Sequence, residues 1–108
     1  KEGRYIKYLP SYISCNGTFV DGKKQGQWFY YYGPEKILFK IENYNHNYLH
    51  GPVYIHRHSG ELDAIEEYEF GKLLSKKLFH KNKMIKLKHY LNNEEVEEIN
   101  FRKDYPKN

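Results

Sequence analysis

The chain has 108 residues, of which 12 are Tyr, 6 Phe and 1 Trp, a length that suits one domain and excludes folds needing about 200 residues or more. Lys and Arg total 18 against 14 Asp and Glu, a net charge of +4, which argues against the dense positive field of a dedicated nucleic-acid binder. A mean hydropathy of −0.95 leans towards disorder, but disordered chains are poor in aromatic and branched residues, so a folded, β-rich protein is expected.

Strand-like runs follow one another along the chain. Gly3-Arg4-Tyr5-Ile6-Lys7-Tyr8 opens it, and Cys15 precedes Asn16-Gly17, a dipeptide that reads as a turn. Three pairs of runs rich in aromatic and branched residues come next: Trp28–Tyr32 with Ile37–Tyr44, Val53–Arg57 with Glu61–Phe70, and Lys77–His80 with Met84–Leu91. Turns are expected at Asp21-Gly22, Gly33-Pro34, Asn45 to Asn47, Ser59-Gly60, Phe70-Gly71, Lys81-Asn82 and Asn92-Asn93, because tight hairpins need positive φ, which Gly and Asn tolerate. Connections this short join antiparallel neighbours. Glu94–Arg102 is the one stretch where a short helix competes, since Glu is a poor strand former.

The runs also repeat. Gly22-Lys23-Lys24-Gln25-Gly26-Gln27-Trp28-Phe29-Tyr30-Tyr31 is echoed from Asn47, from Gly71 and, in decayed form, from Asn93. An aromatic, Phe19, Tyr44, Tyr68 or Tyr90, stands three residues before each copy. The phase positions Gly3, Gly26, Gly51, Ser75 and Glu97 are spaced 23, 25, 24 and 22 residues apart. The expectation is an all-β, elongated antiparallel meander of about four stacked hairpins in a single domain over 1–108. Its units run 3–25, 26–50, 51–74 and 75–96, with a partial unit 97–108. Ser75 and Glu97 in place of glycine imply that the later units bend differently or end the array.

Alternation sorts the side chains onto two faces. Trp28, Tyr30, Val53, Ile55, Phe79, Ile99 and Phe101 fall on one; Phe29, Tyr31, Tyr54, His56, Leu78 and His80 fall on the other. Apolar surface on both faces is more than a sheet washed on one side needs. Charges segregate as well: Glu61, Asp63, Glu66, Glu67 and Glu69 precede a run of lysines, Lys72, Lys76, Lys77, Lys81, Lys83, Lys86 and Lys88. Neighbouring strands would set these against each other as cross-strand pairs.

These residues resemble the MORN repeat in its shorter bacterial variant: an aromatic, then Gly-Lys-Lys-x-Gly-x-Trp-x-x-Tyr-Tyr, then Gly-x-Leu leading to the next aromatic. Phe19, Gly22, Lys23, Lys24, Gly26, Trp28, Tyr31 and Tyr32 match one copy; Tyr44, Gly51, Gly60, Leu62, Tyr68, Gly71 and Lys72 continue the pattern. The resemblance implies a twisted sheet of stacked hairpins with no active site of its own, acting as a protein-interaction module, antitoxin-like or immunity-like. Lipid-kinase activity, a label some relatives carry, is excluded by length and by the missing phosphate-binding glycine loops.

No chemistry-bearing motif competes. Among the histidines, His46, His50, His56 and His58 fall in one hairpin, with His56 and His58 expected on one strand face, but no carboxylate or cysteine stands at ligand spacing, so neither metal nor other cofactor is assigned. Cys15 has no base beside it, and a non-catalytic role follows. The partner-binding residues assigned are Trp28, Phe29, Tyr30, Tyr31, Tyr54, His56, Phe79 and His80, since aromatic rings supply large contact area at small entropic cost. A second reading has Lys72, Lys76, Lys77, Lys83, Lys86 and Lys88 holding an anionic membrane surface. Sheet edges offer self-association. A single cysteine slightly favours the cytoplasm, and a secreted or periplasmic protein whose leader has been removed is the alternative.

Overall fold

The computed structural model describes residues 3–9 and 13–102, at 7–9 by their backbone. Ten strands occur among the described residues: β1 (Gly3–Leu9), β2 (Ile13–Val20), β3 (Lys23–Tyr32), β4 (Ile37–Asn45), β5 (Tyr48–Leu49), β6 (Gly51–His56), β7 (Leu62–Glu69), β8 (Lys72–His80), β9 (Lys83–Leu91) and β10 (Glu94–Asn100). They form one antiparallel sheet in chain order, with β5 beside β6 as a second short partner of β4. β1 and β10 do not pair, so the sheet is open. The body measures 49 × 34 × 20 Å with a radius of gyration of 15.8 Å, against about 13 Å for a compact domain of this length. Glu94–Asn100, where a helix competed, is strand.

Turn chemistry explains the meander. Asp21-Gly22, His46-Asn47, Phe70-Gly71, Lys81-Asn82 and Asn92-Asn93 each place both residues at positive φ, the geometry whose twist matches that of two antiparallel strands. Adjacent turns are also tied together. Asn47 N–H donates to Lys24 O (3.0 Å), and Lys24 N–H donates to Asn47 Oδ1 (2.7 Å). One hairpin on, Gly71 N–H donates to Leu49 O (2.7 Å), and beyond it Leu73 N–H donates to Asn93 Oδ1 (3.4 Å).

Asn16-Gly17 is no turn: it lies inside β2. Glycine is required there because the Trp28 indole covers it. A Cβ on Gly17 would lie 2.1 Å from Cδ2 of that ring, so the residue marks a close approach rather than a reversal.

Bulges recur at regular places. Phe39, Asp63 and Ile85 are each the extra residue near the start of β4, β7 and β9. A second set falls at the phase positions. Around Gly26 and Gly51 the register slips by two residues, and both glycines are left-handed at φ 76° and 99°. Around Ser75 and Glu97 it slips by one, at Leu74 and Val96, and neither residue takes a positive φ. The later strands thus bend differently, since a side chain at the phase position resists the left-handed backbone that the wider offset uses.

Registered pairs share a face, and two rows cross the sheet. One contains Trp28 with Glu42, then Val53, Glu66, Lys76, Lys88 and Glu98. The other runs Ile6, Asn16, Phe29, Ile41, Tyr54, Ile65, Lys77, Leu87, Ile99 without a break. The buried side chains Cys15, Trp28, Glu42, Val53 and Ala64 all lie on the Trp28 face. Trp28 is 1% exposed, ringed by Phe19 (5.2 Å between centroids), Tyr5 (5.6 Å) and Tyr44 (6.3 Å). This aromatic cluster is the nearest thing to a core, and losing such a side chain costs about 3–5 kcal/mol.

Candidate functional site

On the Trp28 face the chemistry is a repeated Tyr–Glu–Lys trio. Alternation puts a tyrosine two residues after a glutamate on the same side, so Tyr44 OH donates to Glu42 Oε1 at 2.8 Å. Lys40 Nζ lies 3.4 Å from Glu42 Oε2. A buried carboxylate has to be paired in this way to remain charged. The second trio repeats the plan: Tyr68 OH donates to Glu66 Oε1 at 3.0 Å, and Lys76 from the next strand reaches Glu66 Oε2 at 3.5 Å. In the third, Lys88 stands where glutamate stood and contacts Glu95 (3.3 Å) and Glu98 (3.7 Å) on β10. Burial pushes the Tyr30 and Tyr44 hydroxyls well above the ordinary phenol range, with hydrogen bonding to Glu42 and its charge adding to the effect. Tyr68 is pushed up to about 12 by burial and then by Glu66. Neutral tyrosines on saturated carboxylates make this face a fastening between strands.

The Tyr54 face is different. Apart from Asn16 and Lys77 its central row is apolar, and none of its members is buried. Tyr31 opposite Leu38, His56 opposite Leu62, and Phe79 opposite Met84 widen it on one side. Five of the eight assigned partner-binding residues, Phe29, Tyr31, Tyr54, His56 and Phe79, therefore share one surface. The other three lie on the Trp28 face: Trp28 is packed away, Tyr30 lies half-buried near Glu42, and His80 closes the β8–β9 hairpin opposite Lys83.

Strict alternation had assigned several residues to the wrong side. Leu78 is registered with Ala64 and Lys86 on the Trp28 face, so Phe79 lies on the Tyr54 face and His80 on the Trp28 face. Ile99 is registered with Leu87 on the Tyr54 face. The bulges at Leu74 and Val96 cause both reversals, since one extra residue flips every side chain beyond it. Ile41, Ile65 and Leu87 complete the row and were absent from the sequence-based assignment. The signal that finds them is the same alternation counted with the bulges included.

The histidines and lysines disperse. His56 and His58 do not share a face: His58 stacks on Tyr32 (4.7 Å), which itself stacks on Phe39 (4.5 Å), all on the Trp28 side. His50 Nδ1 accepts from Phe70 N–H at 3.1 Å, and His46 Nδ1 lies against Asn45 Oδ1. No cluster of three or more metal-ligating side chains occurs among the described residues. Of the six lysines read as a membrane contact, Lys76, Lys86 and Lys88 lie on the Trp28 face in ion pairs with Glu66, Glu98 and Glu95. Lys77 lies on the opposite face between Ile65 and Leu87, while Lys72 and Lys83 stand at strand ends. They form no common patch. No family model, curated protein or solved structure matches the chain.

Proposed function

We propose that this chain is a non-catalytic protein-binding module of the MORN-repeat type, which covers a partner protein with its Tyr54 face and acts as an antitoxin-, immunity- or inhibitor-like component. The carrying observation is the unburied apolar row from Ile6 to Ile99, registered across the sheet. A half-buried apolar row with exposed ends at Ile6 and Ile99 is the kind of surface by which small proteins meet partners. Tyr31, Tyr54 and Phe79 supply the aromatic rings that interfaces favour, with Lys77 and Asn16 as polar interruptions that set register. Inhibition by such a face is steric, requiring no chemistry of its own.

Site-specific photo-crosslinking in the native host tests the reading. A photoreactive residue at Tyr54 or Phe29 is expected to trap one protein, and the same group at Glu35 or Lys36, in the exposed β3–β4 turn, is expected to trap none. The trapped protein, purified, should bind the chain one to one and lose that binding on Tyr54→Arg. Equal, unspecific labelling at both sets of positions would sink the proposal.

A further inference from the structure

Both edges of the sheet are built like interior strands. β10 carries at Val96 the same one-residue bulge that β8 carries at Leu74, and β8 pairs on both sides regardless. A strand designed to end a sheet is blunted by such irregularities; here the bulge is part of the ordinary strand plan. Every residue of β10 is exposed, with Val96 at 61%. At the other edge, Gly3 of β1 holds the left-handed backbone of Gly26 and Gly51, at φ 86°. Ile6, first member of the apolar row, is 62% exposed.

The two edges also differ in charge. β1 contains Arg4 and Lys7 and no acid, whereas β10 contains Glu94, Glu95, Glu97 and Glu98 and no base. Within the sheet an acidic strand is followed by a basic one: Glu66 faces Lys76, and Glu69 faces Lys72. Pairing β10 with β10 would set glutamates against glutamates, unfavourable across a ladder, whereas β1 brings no acid to that edge. We infer that the open β10 edge receives the β1 edge of a second copy of this chain, extending the sheet from molecule to molecule. The contact is heterologous, so it propagates as a ring or a filament. β1 and β10 run in the same direction across the nine paired strands, so the joining pair is parallel and keeps the Tyr54 row continuous from Ile99 of one copy to Ile6 of the next.

Sedimentation equilibrium over a range of concentration and salt tests this. The unaltered chain should show a weight-average mass that rises above 13.1 kDa with concentration and falls back with added salt. Arg4→Glu with Ile6→Glu, and separately Glu94→Lys with Glu97→Lys, should each stay monomeric. An equimolar mixture of the two variants should regain at least the dimer mass, because each supplies the edge the other needs. Thermal melts confirm that both are folded, and Glu94→Lys alone replaces the double variant if the latter melts early. A chain monomeric at every concentration, a variant that assembles unaided, or a mixture that stays monomeric would each overturn the inference.

Discussion

Gly17→Ala is the sharpest test of how this thin sheet holds itself together. A Cβ at position 17 would lie 2.1, 2.3 and 2.5 Å from Cδ2, Cε2 and Cγ of Trp28. Ordinary carbon contacts begin near 3.4 Å, so the indole has to retreat by more than an ångström. The ring cannot retreat freely, being held by Phe19, Tyr5 and Tyr44 and with Lys24 Nζ 4.7 Å from its centroid. Overpacking of this kind costs about 1–3 kcal/mol, and each aromatic contact disturbed adds about 0.5–1.5 kcal/mol. Gly17 takes no positive φ, so alanine itself is unstrained and recovers about 0.4–1 kcal/mol through the unfolded chain. The net expectation is a loss of about 2–3 kcal/mol. Urea unfolding followed by the fluorescence of the single tryptophan, and in parallel by circular dichroism, measures it. The partner experiment is Gly17→Ala in a Trp28→Ala background, where the same change should cost nothing or stabilise slightly. A loss below about 0.5 kcal/mol, within the range of ordinary surface substitutions, or an equal loss in both backgrounds, would refute the close-approach argument.

Four further outcomes are expected. Tyr68, raised to about 12 from the model-peptide value of 10.0, keeps its proton in the folded chain after the unfolded chain has lost it. Stability should therefore be full below pH 10 and fall as pH rises towards 12, with Tyr30 and Tyr44 steepening the fall. Glu42→Gln should bring tyrosine ionisation to lower pH in ultraviolet titration without restoring the ordinary range, because burial is the larger cause. His50→Gln should be nearly silent in thermal melts, since Gln25 Oε1 already accepts from His46 N–H one hairpin earlier; His50→Leu should cost about 1 kcal/mol for the lost acceptor. Phe70 sits at φ 44° and is 54% exposed, so Phe70→Asn should raise the melting temperature slightly by relieving left-handed strain. A fall instead would mean that its tilted ring contact with His50, at 4.3 Å, outweighs the strain.

Turn chemistry was legible in the amino acids: Asp21-Gly22, Phe70-Gly71 and Asn92-Asn93 announce positive φ locally, and the strands fill the intervals. Charge pairing was legible for the same reason, Glu66 meeting Lys76 across adjacent strands. What failed was anything depending on a bulge. Leu78, Phe79 and Ile99 changed sides because an extra residue lies upstream of each, and the replacement of the phase glycine by Ser75 and Glu97 signals an altered bend without saying by how many residues the register slips. Asn16-Gly17 failed differently, since glycine serves equally for reversal and for close approach, and only the distant Trp28 decides between them. The Tyr–Glu trios had a signal that could be read: Glu42-Asn43-Tyr44 and Glu66-Glu67-Tyr68 repeat a glutamate two residues before the phase aromatic, and Lys88-His89-Tyr90 breaks it. The assignment of side chains to faces held for strands ahead of Leu74 and failed beyond it.

The hydrogen bonds that tie Asn47 to Lys24, Gly71 to Leu49 and Asn93 to Leu73 make each hairpin accountable only to its neighbours. With no second layer behind the sheet among the described residues, the hairpins form a queue in which strain or order passes hand to hand. An event at β10 can reach Trp28 only by crossing every strand between, losing strength at each bulge. A partner gripping one end would leave the other end thermodynamically unaware of it. Hydrogen exchange should therefore quicken strand by strand towards the free end, as a gradient along the array in place of one cooperative opening.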